Sequence, residues 1–139
     1  MTPMPELKER LQASYLAGVE KVIGVPFPDQ LKSIYSGRDD GALVGKHYHD
    51  LIGYNYGNIF SQMKFRFTPI NVEAFNRCHK GLPPSFASLV PFGHDDFGNL
   101  YLLQPLSWGV YFLEIDDDKP EPLLIYQTFE EFLVGLQRR

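Results

Sequence analysis

Residues 89–103 decide the fold, and their sequence is LVPFGHDDFGNLYLL. An apolar run ending at Phe92 is followed by Gly93 to Gly98, a turn rich in Asp and Gly. A second apolar run, Asn99 to Leu103, has no polar face. Short apolar runs bounded by turn residues are typical of β-strands. We therefore predict two neighbouring strands, Phe86 to Phe92 and Asn99 to Leu103, with the second central in its sheet and covered on both sides.

The sequence that follows predicts a β-meander closed by a helix. Trp108 to Ile115 alternates between two apolar faces, and Leu123 to Gln127 is expected to be its partner strand. The two are separated by Asp116 to Pro122, where charges and prolines indicate a loop. Thr128 is placed to cap a helix, with Glu131 completing a capping box. The expected buried stripe of this helix is Phe129, Phe132, Leu133 and Leu136.

Helices are predicted in the N-terminal part of the chain. Apolar residues at helical spacing predict one helix from Pro5 to Ile23, which Gly24 ends. Gly18 weakens the middle of this helix, so a break is possible there. A second helix is predicted from Asp29 to about Ser36.

The middle of the chain gives a weaker pattern, because glycines interrupt residues 42–67. Within it, Met63 to Phe67 predicts a strand, and Asn71 to His79 predicts a short helix. The overall order is helices first, then a strand meander, then a closing helix, which indicates an α+β fold. We expect residues 1–139 to form a single domain with a twisted, mainly antiparallel sheet.

Composition narrows the class of protein. The chain has 13 basic and 17 acidic residues and a net charge of -4, so nucleic acid is not an expected partner. No apolar run approaches the roughly 20 residues needed to cross a bilayer, so no membrane is expected as a partner either. Cys78 is the only cysteine, which excludes an intramolecular disulfide and suits a small apolar side chain in a reducing compartment. The first residues lack the apolar stretch of a signal peptide. We therefore expect a cytoplasmic protein.

Two blocks of residues match the pattern of a known family. The first is IGVPFP at 23–28, which contains Gly24 and Pro28 and is followed by Leu31 and Tyr35. The second contains Pro91, Asp95, Gly98, Asn99, Tyr101, Trp108 to Tyr111, and finally Phe129, Phe132 and Leu133. In order and spacing the blocks resemble the SUKH superfamily, which includes the yeast Smi/Knr cell-wall regulators and many bacterial immunity proteins. The turn at Asp39-Asp40-Gly41 departs from the Asn-Gly-Gly-like turn usual in that family.

The resemblance implies both a fold and a function. It implies an α+β domain in which helices pack on a twisted sheet, and the matched residues are markers of that fold. In bacteria it implies a non-enzymatic protein that neutralises a polymorphic toxin, often a nuclease, by direct complex formation. Because the toxin-contacting surface varies within the superfamily, contact residues cannot be transferred from it.

Acidic residues in the predicted loops are candidates for contact with a basic toxin domain. They are Asp39, Asp40, Asp95, Asp96, Asp116, Asp117, Asp118 and Glu121, with Tyr54 and Tyr56 as candidate aromatic anchors beside them. If several lie on one side of the molecule, they form a negative surface that steers a basic partner. Alternatively, the acids only confer solubility and the tyrosines belong to the core.

A different class of function rests on the histidines. His47 and His49 would share one face of a strand, which suits a divalent metal, but further ligands would have to come from elsewhere. His94 and Asp95 have the residue types of an acid–base or metal site, although turn chemistry also explains them. The chain has no phosphate loop or nucleophile elbow, and Asp116 to Asp118 lacks the calcium-loop pattern. We expect no cofactor; a metal- or ligand-binding enzyme, or a regulatory scaffold, remains the alternative.

Overall fold

The computed structural model describes residues 5–36, 49–51, 54–55, 58–59, 63–80, 82–114 and 121–137. The helices in these residues are α1 (Pro5–Ile23), α2 (Asp29–Ser36), α3 (Val72–His79) and α4 (Phe129–Gly135). The strands are β1 (His49–Leu51), β2 (Tyr54–Asn55), β3 (Asn58–Ile59), β4 (Met63–Phe67), β5 (Val90–His94), β6 (Leu100–Leu103), β7 (Val110–Leu113), β8 (Leu123–Tyr126) and β9 (Leu136–Gln137). The predicted α+β class is confirmed.

Among the described residues, seven strands form one antiparallel sheet in the order β8-β7-β6-β5-β4-β1-β9. The run from β5 to β8 pairs each strand with the next along the chain, as predicted for a meander. After α4 the chain crosses to the far edge, where β9 pairs with β1. The separate β2–β3 hairpin lies in the connection between β1 and β4.

The sheet is covered on both faces. The main core packs one face against the helices and includes Phe65, Phe92, Tyr101, Leu31 and Phe132. A smaller cluster covers the other face and consists of Leu89, Leu102 and Leu113, with half-buried Cys78, Leu82, Phe86, Leu100 and Tyr111 packed against it. Alternate residues of β6 therefore enter opposite clusters, as predicted for a central strand.

Phe65 lies at the centre of the main core. Its ring centroid is 4.8 Å from that of Phe67, 5.3 Å from Phe92, 5.1 Å from Tyr101 and 5.0 Å from Phe132. The ring also packs over Gly93 in the neighbouring strand: a Cβ atom built on Gly93 would lie 2.2 Å from a Phe65 ring carbon. Glycine at 93 is therefore required by the close approach of this ring.

Two of the predicted strand boundaries are wrong for local reasons. The strand predicted from Phe86 begins only at Val90, because Pro84–Phe86 forms a 3-10 turn in which Phe86 donates to the Pro83 carbonyl at 2.9 Å. The strand also continues to His94, beyond the predicted end at Phe92. Pro91 therefore lies inside β5 and not at its end, and a register irregularity separates it from Gly93.

The strand predicted from Trp108 starts at Val110 instead. Trp108 has a φ of 56° and Leu106 a φ of 78°, both in the left-handed region, so these residues belong to the turn between β6 and β7. The turn is closed by the Trp108 N–H, which donates to the Gln104 carbonyl at 2.7 Å.

The helical predictions agree with the structure except at Leu136, which was predicted in the buried stripe of the closing helix. α4 ends at Gly135, and Leu136 is buried as the first residue of β9, where its backbone is extended. α1 continues through Gly18 without a break and ends at Gly24, whose φ is +82°. The Asn71 side chain caps α3 by accepting from the Ala74 N–H at 2.8 Å. Thr128 caps α4 by accepting from the Glu131 N–H at 3.1 Å. The Glu131 carboxylate returns to the Gln127 N–H at 3.2 Å, one residue before the position that a standard capping box uses.

Candidate functional site

The turn between β5 and β6 is organised by the buried carboxylate of Asp95. One of its oxygens accepts from the backbone N–H groups of Phe97 and Asn99, each at 2.9 Å, and the other accepts from the Asn99 side-chain amide at 3.1 Å. Gly98 takes a φ of +86° and donates to the Asp95 carbonyl at 3.1 Å. Such Asx-type bonding makes the turn a preformed unit.

This bonding agrees with the interpretation of Asp95 as a residue of turn chemistry, one of the two that the sequence left open. Asp95 is only 5% exposed, because its side chain points into its own turn and not into solvent. The next two residues are the exposed ones: Asp96 and Phe97 lie at the surface, and Phe97 is 78% exposed. What the turn presents to solvent is therefore Asp96 and Phe97, on a backbone that Asp95 holds in place.

The meander brings a second connection to this end of the sheet. Leu100, which follows the turn, pairs with Leu113, the last residue of β7. The next residue, Glu114, is exposed, and so is Glu121, which precedes β8. We call the exposed group Asp96, Phe97, Glu114 and Glu121 the acidic end of the sheet.

Basic side chains near this end come from β4, whose Arg66 pairs in register with His94 of β5. Arg66 is half-buried, and Lys64 is the more exposed of the two, at 47% of its side chain. The Lys64 ammonium, however, forms an ion pair with the carboxylate of Asp50, its cross-strand partner in β1. Because that pair is internally neutral, the exposed groups of the acidic end keep their negative character.

Several residues predicted as contacts lie outside the described residues. These are Asp39, Asp40, Tyr56, Asp116, Asp117 and Asp118, together with the fold marker Gly41 and the histidine His47. Tyr54 begins β2, where its backbone pairs with Ile59. The chain on either side of 115–120 joins the sheet at the acidic end, through Leu113 and Leu123, which pairs with Phe112.

The remaining fold markers hold the positions at which the chain changes direction or packs. The Pro28 carbonyl accepts from the N–H groups of Leu31 and Lys32, each at 3.1 Å, and so begins α2. Tyr101 is fully buried, and its burial raises the pKa of its hydroxyl well above the usual range, an effect strengthened by the neighbouring Asp95 charge. In α4, Phe129 and Phe132 are stacked with centroids 5.6 Å apart, and Leu133 packs half-buried against the same core.

The histidine hypothesis finds little support in the described geometry. His49 is 2% exposed, and its ring meets the edge of Phe67 with centroids 6.3 Å apart. A His94 ring nitrogen lies 2.8 Å from the carbonyl of Asp95, within its own turn. Within the described ranges, no group of three or more His, Cys, Asp or Glu side chains is arranged to hold a metal ion. The metal or ligand-binding enzyme is therefore not favoured.

Cys78 is half-buried at the end of α3, against the smaller cluster. Burial raises the pKa of its thiol to about 11, so the thiol stays protonated at neutral pH. A protonated thiol is a poor nucleophile, and this supports the apolar packing role predicted for Cys78.

Sequence reasoning missed two structural residues. Glu20 joins α1 to the loop before α2, because its carboxylate accepts the Phe27 N–H at 2.6 Å and pairs with Lys32 at 3.2 Å. Nothing local distinguishes Glu20 from other exposed-face acids of a helix. Gly93 was assigned to the turn, and only the Phe65 ring packed on it shows its role.

Sequence reasoning also overlooked Phe97, although its place between Asp96 and Gly98 in a polar turn was a usable signal of exposure. An aromatic residue at the tip of a short turn cannot easily return to the core.

None of the helices in the described residues combines the length and apolarity needed to span a bilayer. In comparisons with known proteins, a family model described as SMI1 / KNR4 family (SUKH-1) matches residues 11–135. No curated protein and no solved structure matches the chain. The family match covers both blocks of residues on which the resemblance was based and confirms it.

Proposed function

Because the chain belongs to the SMI1 / KNR4 family (SUKH-1), we propose that it is a non-enzymatic protein-binding domain that neutralises a cognate polymorphic toxin by direct complex formation. The observation that carries the proposal is the family match over residues 11–135, since bacterial members of this superfamily are generally immunity proteins. The proposal includes residues 1–139 acting as one domain in the bacterial cytoplasm.

The charge of the chain supports a basic partner, such as a nuclease toxin domain. The net charge is -4, and three exposed carboxylates, Asp96, Glu114 and Glu121, lie at the acidic end. A surface of one sign accelerates encounter with a partner of the opposite sign and disfavours partners of like sign. Nuclease domains carry basic surfaces because their substrate is a polyanion.

The hydrogen bonding and burial of the potentially reactive side chains support a function in binding rather than in catalysis. The Asp95 carboxylate accepts three hydrogen bonds within its turn, and the Cys78 thiol is held protonated by burial. The His79 ring nitrogen bonds the Leu89 carbonyl at 3.0 Å and its ring packs on Phe75 with centroids 3.9 Å apart. Each of these groups is used in packing or in hydrogen bonds within the protein, whereas a catalytic group would have to be available to a substrate.

We propose contact with the toxin for acids and tyrosines of the predicted loops. Among the described residues, the exposed acids at the acidic end are Asp96, Glu114 and Glu121. The proposal extends to Asp39, Asp40, Asp116, Asp117, Asp118, Tyr54 and Tyr56 on the grounds of residue type alone. Asp95 is assigned a different part, which is to hold Asp96 and Phe97 in position.

The test is complex formation with a defined toxin domain. We expect a gene beside this one to encode a polymorphic toxin, and the catalytically inactivated C-terminal domain of that toxin would be co-expressed with the full chain and purified by a tag on the toxin domain. We expect a stable one-to-one complex by light scattering, and rescue of growth when the active toxin domain is expressed. A toxin domain of another class is the matched control. Failure to bind or to rescue against the neighbouring toxin would overturn the proposal.

A further inference from the structure

Phe97 is a large apolar side chain that the fold places in solvent. It is 78% exposed at the tip of the β5–β6 turn. Its backbone N–H is used by the turn, donating to Asp95 at 2.9 Å, but its ring is not part of either buried cluster. The hydrogen bonding of the turn therefore uses only the backbone of Phe97, and the ring is available for another role.

The turn presents this ring on a rigid support. Asp95 receives three hydrogen bonds from Phe97 and Asn99, and the Asp95 N–H donates to the Asn99 carbonyl at 3.0 Å. Little backbone freedom remains to be lost when the tip is bound. Preorganisation of this kind lowers the entropic cost of association, so a presented aromatic ring contributes more to affinity.

The charges around Phe97 indicate what kind of surface could cover it. Asp96 is adjacent, and Glu114 and Glu121 lie at the same end of the sheet. By contrast Leu106, equally exposed at 78%, lies at the opposite end in the uncharged turn Gln104 to Gly109. A central aromatic residue within a rim of charged groups is the usual organisation of a binding hot spot.

We propose that Phe97 is the apolar anchor of the partner interface, and that it inserts into an apolar pocket on a partner protein whose rim carries Lys and Arg. The inference rests on the proposed function for the identity of the partner, and it goes further by naming the residue and the complementary surface. Phe97 contributes affinity through desolvation of its ring, while Asp96, Glu114 and Glu121 guide the basic rim into register.

This division of roles has separable kinetic consequences. Loss of the Phe97 ring removes contacts made only in the bound state, so it accelerates dissociation. Loss of the Asp96 charge weakens long-range attraction, so it slows association and reduces its dependence on ionic strength. A residue of merely structural importance would change neither rate without also lowering the stability of the free protein.

The experiment measures binding of the inactivated neighbouring toxin domain to immobilised full chain by surface plasmon resonance. Four proteins are compared: the natural chain, Phe97→Ala, Asp96→Asn, and Leu106→Ala as the equally exposed control. We expect Phe97→Ala to weaken affinity by roughly 30-fold or more, mainly through faster dissociation. Asp96→Asn should mainly slow association, and Leu106→Ala should bind as the natural chain does. Thermal unfolding of each variant verifies that it is folded.

The outcomes separate this inference from the proposed function. If the natural chain binds and Phe97→Ala binds equally well, the anchor is disproved while the proposed function stands. If Leu106→Ala is weakened as strongly as Phe97→Ala, apolar exposure alone explains the effect and the inference is wrong. If sedimentation shows that the natural chain is a dimer and Phe97→Ala a monomer, the ring covers a second copy and the proposed occupant is wrong. If no variant binds, including the natural chain, both proposals fail.

Discussion

The carboxylate of Glu20 accepts the backbone N–H of Phe27 at 2.6 Å, across the turn between α1 and α2. The same carboxylate pairs with Lys32 of α2 at 3.2 Å. One side chain of α1 therefore contacts both the connecting turn and α2, and α2 supplies Leu31, Ile34 and Tyr35 to the core. Tyr35 extends this chain of contacts to the sheet, because its hydroxyl lies 2.7 Å from the carbonyl oxygen of Thr68 and 3.0 Å from that of Phe92, and its single proton is shared between these two acceptors.

Replacing Glu20 should weaken the junction between the helices. We expect Glu20→Ala to lower the free energy of unfolding by about 2 kcal/mol, because a part-buried N–H loses a charged acceptor. Glu20→Gln keeps an acceptor oxygen and should cost less than Glu20→Ala. Urea denaturation measures both, with Glu73→Ala as control. The Glu73 pair with Arg77 is an exposed helical pair, so this control should change stability by less than about 0.5 kcal/mol.

Alanine at two glycine positions should have opposite effects on stability. Gly93→Ala places a Cβ 2.2 Å from a Phe65 ring carbon and 2.8 Å from the Arg66 carbonyl oxygen, so it should destabilise by roughly 3 kcal/mol. Gly18→Ala places its Cβ 3.4 Å from the Val72 side chain of α3, an ordinary contact between the two helices, and alanine favours the helical backbone of α1, so this change should stabilise by up to about 1 kcal/mol. The midpoints of urea denaturation, with an unchanged dependence of the unfolding free energy on urea concentration, give both changes in stability. A neutral Gly93→Ala would contradict the packing described for Phe65.

Removal of the Asp95 carboxylate should disorganise the β5–β6 turn. We expect Asp95→Ala to cost about 2–3 kcal/mol, because two backbone N–H groups and the Asn99 amide lose their acceptor. Asp95→Asn should be intermediate, because one oxygen remains but its new amide faces the Asn99 amide. The exposed neighbour provides the control, and Asp96→Ala should be neutral within about 0.5 kcal/mol. If Asp95→Ala and Asp96→Ala lowered the free energy of unfolding equally, the data would contradict the conclusion that Asp95 stabilises the turn and that Asp96 is only exposed on it.

The thiol of Cys78 should react slowly in the folded protein. Burial raises the pKa of this thiol from 9.0 to about 11, so the reactive thiolate is scarce at neutral pH. We expect the rate of alkylation by iodoacetamide to rise about tenfold per pH unit up to pH 10 without levelling, since only the thiolate reacts. The same protein unfolded in urea should level off near pH 9 and serves as the control. A plateau in the folded protein below pH 9 would contradict the prediction.

The same shift in the pKa of Cys78 makes the stability of the folded protein depend on pH. The folded state retains a proton that the unfolded thiol releases, so the contribution of Cys78 to stability is full below pH 9.0 and declines as the pH rises toward about 11. Replacing Cys78 with Ser removes a titrating thiol in this range. The variant should therefore lose less stability than the natural chain between pH 8.5 and 10, as judged by urea midpoints.

The parts of the fold that follow from local chemistry were predictable. Thr128 and Glu131 predicted the start of a helix, and Gly24 predicted the end of one, because helix caps depend on residues that are a few positions apart. The positive φ of Leu106 was not predictable, since neither its type nor its neighbours favour that conformation. Contacts distant in sequence were equally inaccessible, as the packing of Phe65 on Gly93 shows.

The candidate site was only partly predictable. The acidic residues of the turn were identified, but the inward position of Asp95 depends on which N–H groups its oxygens reach. In contrast, the meander alone implies that every second connection lies at one end of the sheet, so the proximity of Glu114 to this turn could have been derived. Which connection faces a partner remains a matter of surface chemistry, since a fold alone does not specify it.

The pairing of β9 with β1 also bears on the order of events during synthesis. β1 leaves the ribosome early, but its outer edge is paired only when Leu136 and Gln137 have been made and meet Leu51 and Asp50. Until then the nascent chain carries an open strand edge, which is a site for wrong pairing with other chains. A chain released before residues 136–137 would keep this edge of β1 open, and we expect it to be more prone to aggregation than the full chain.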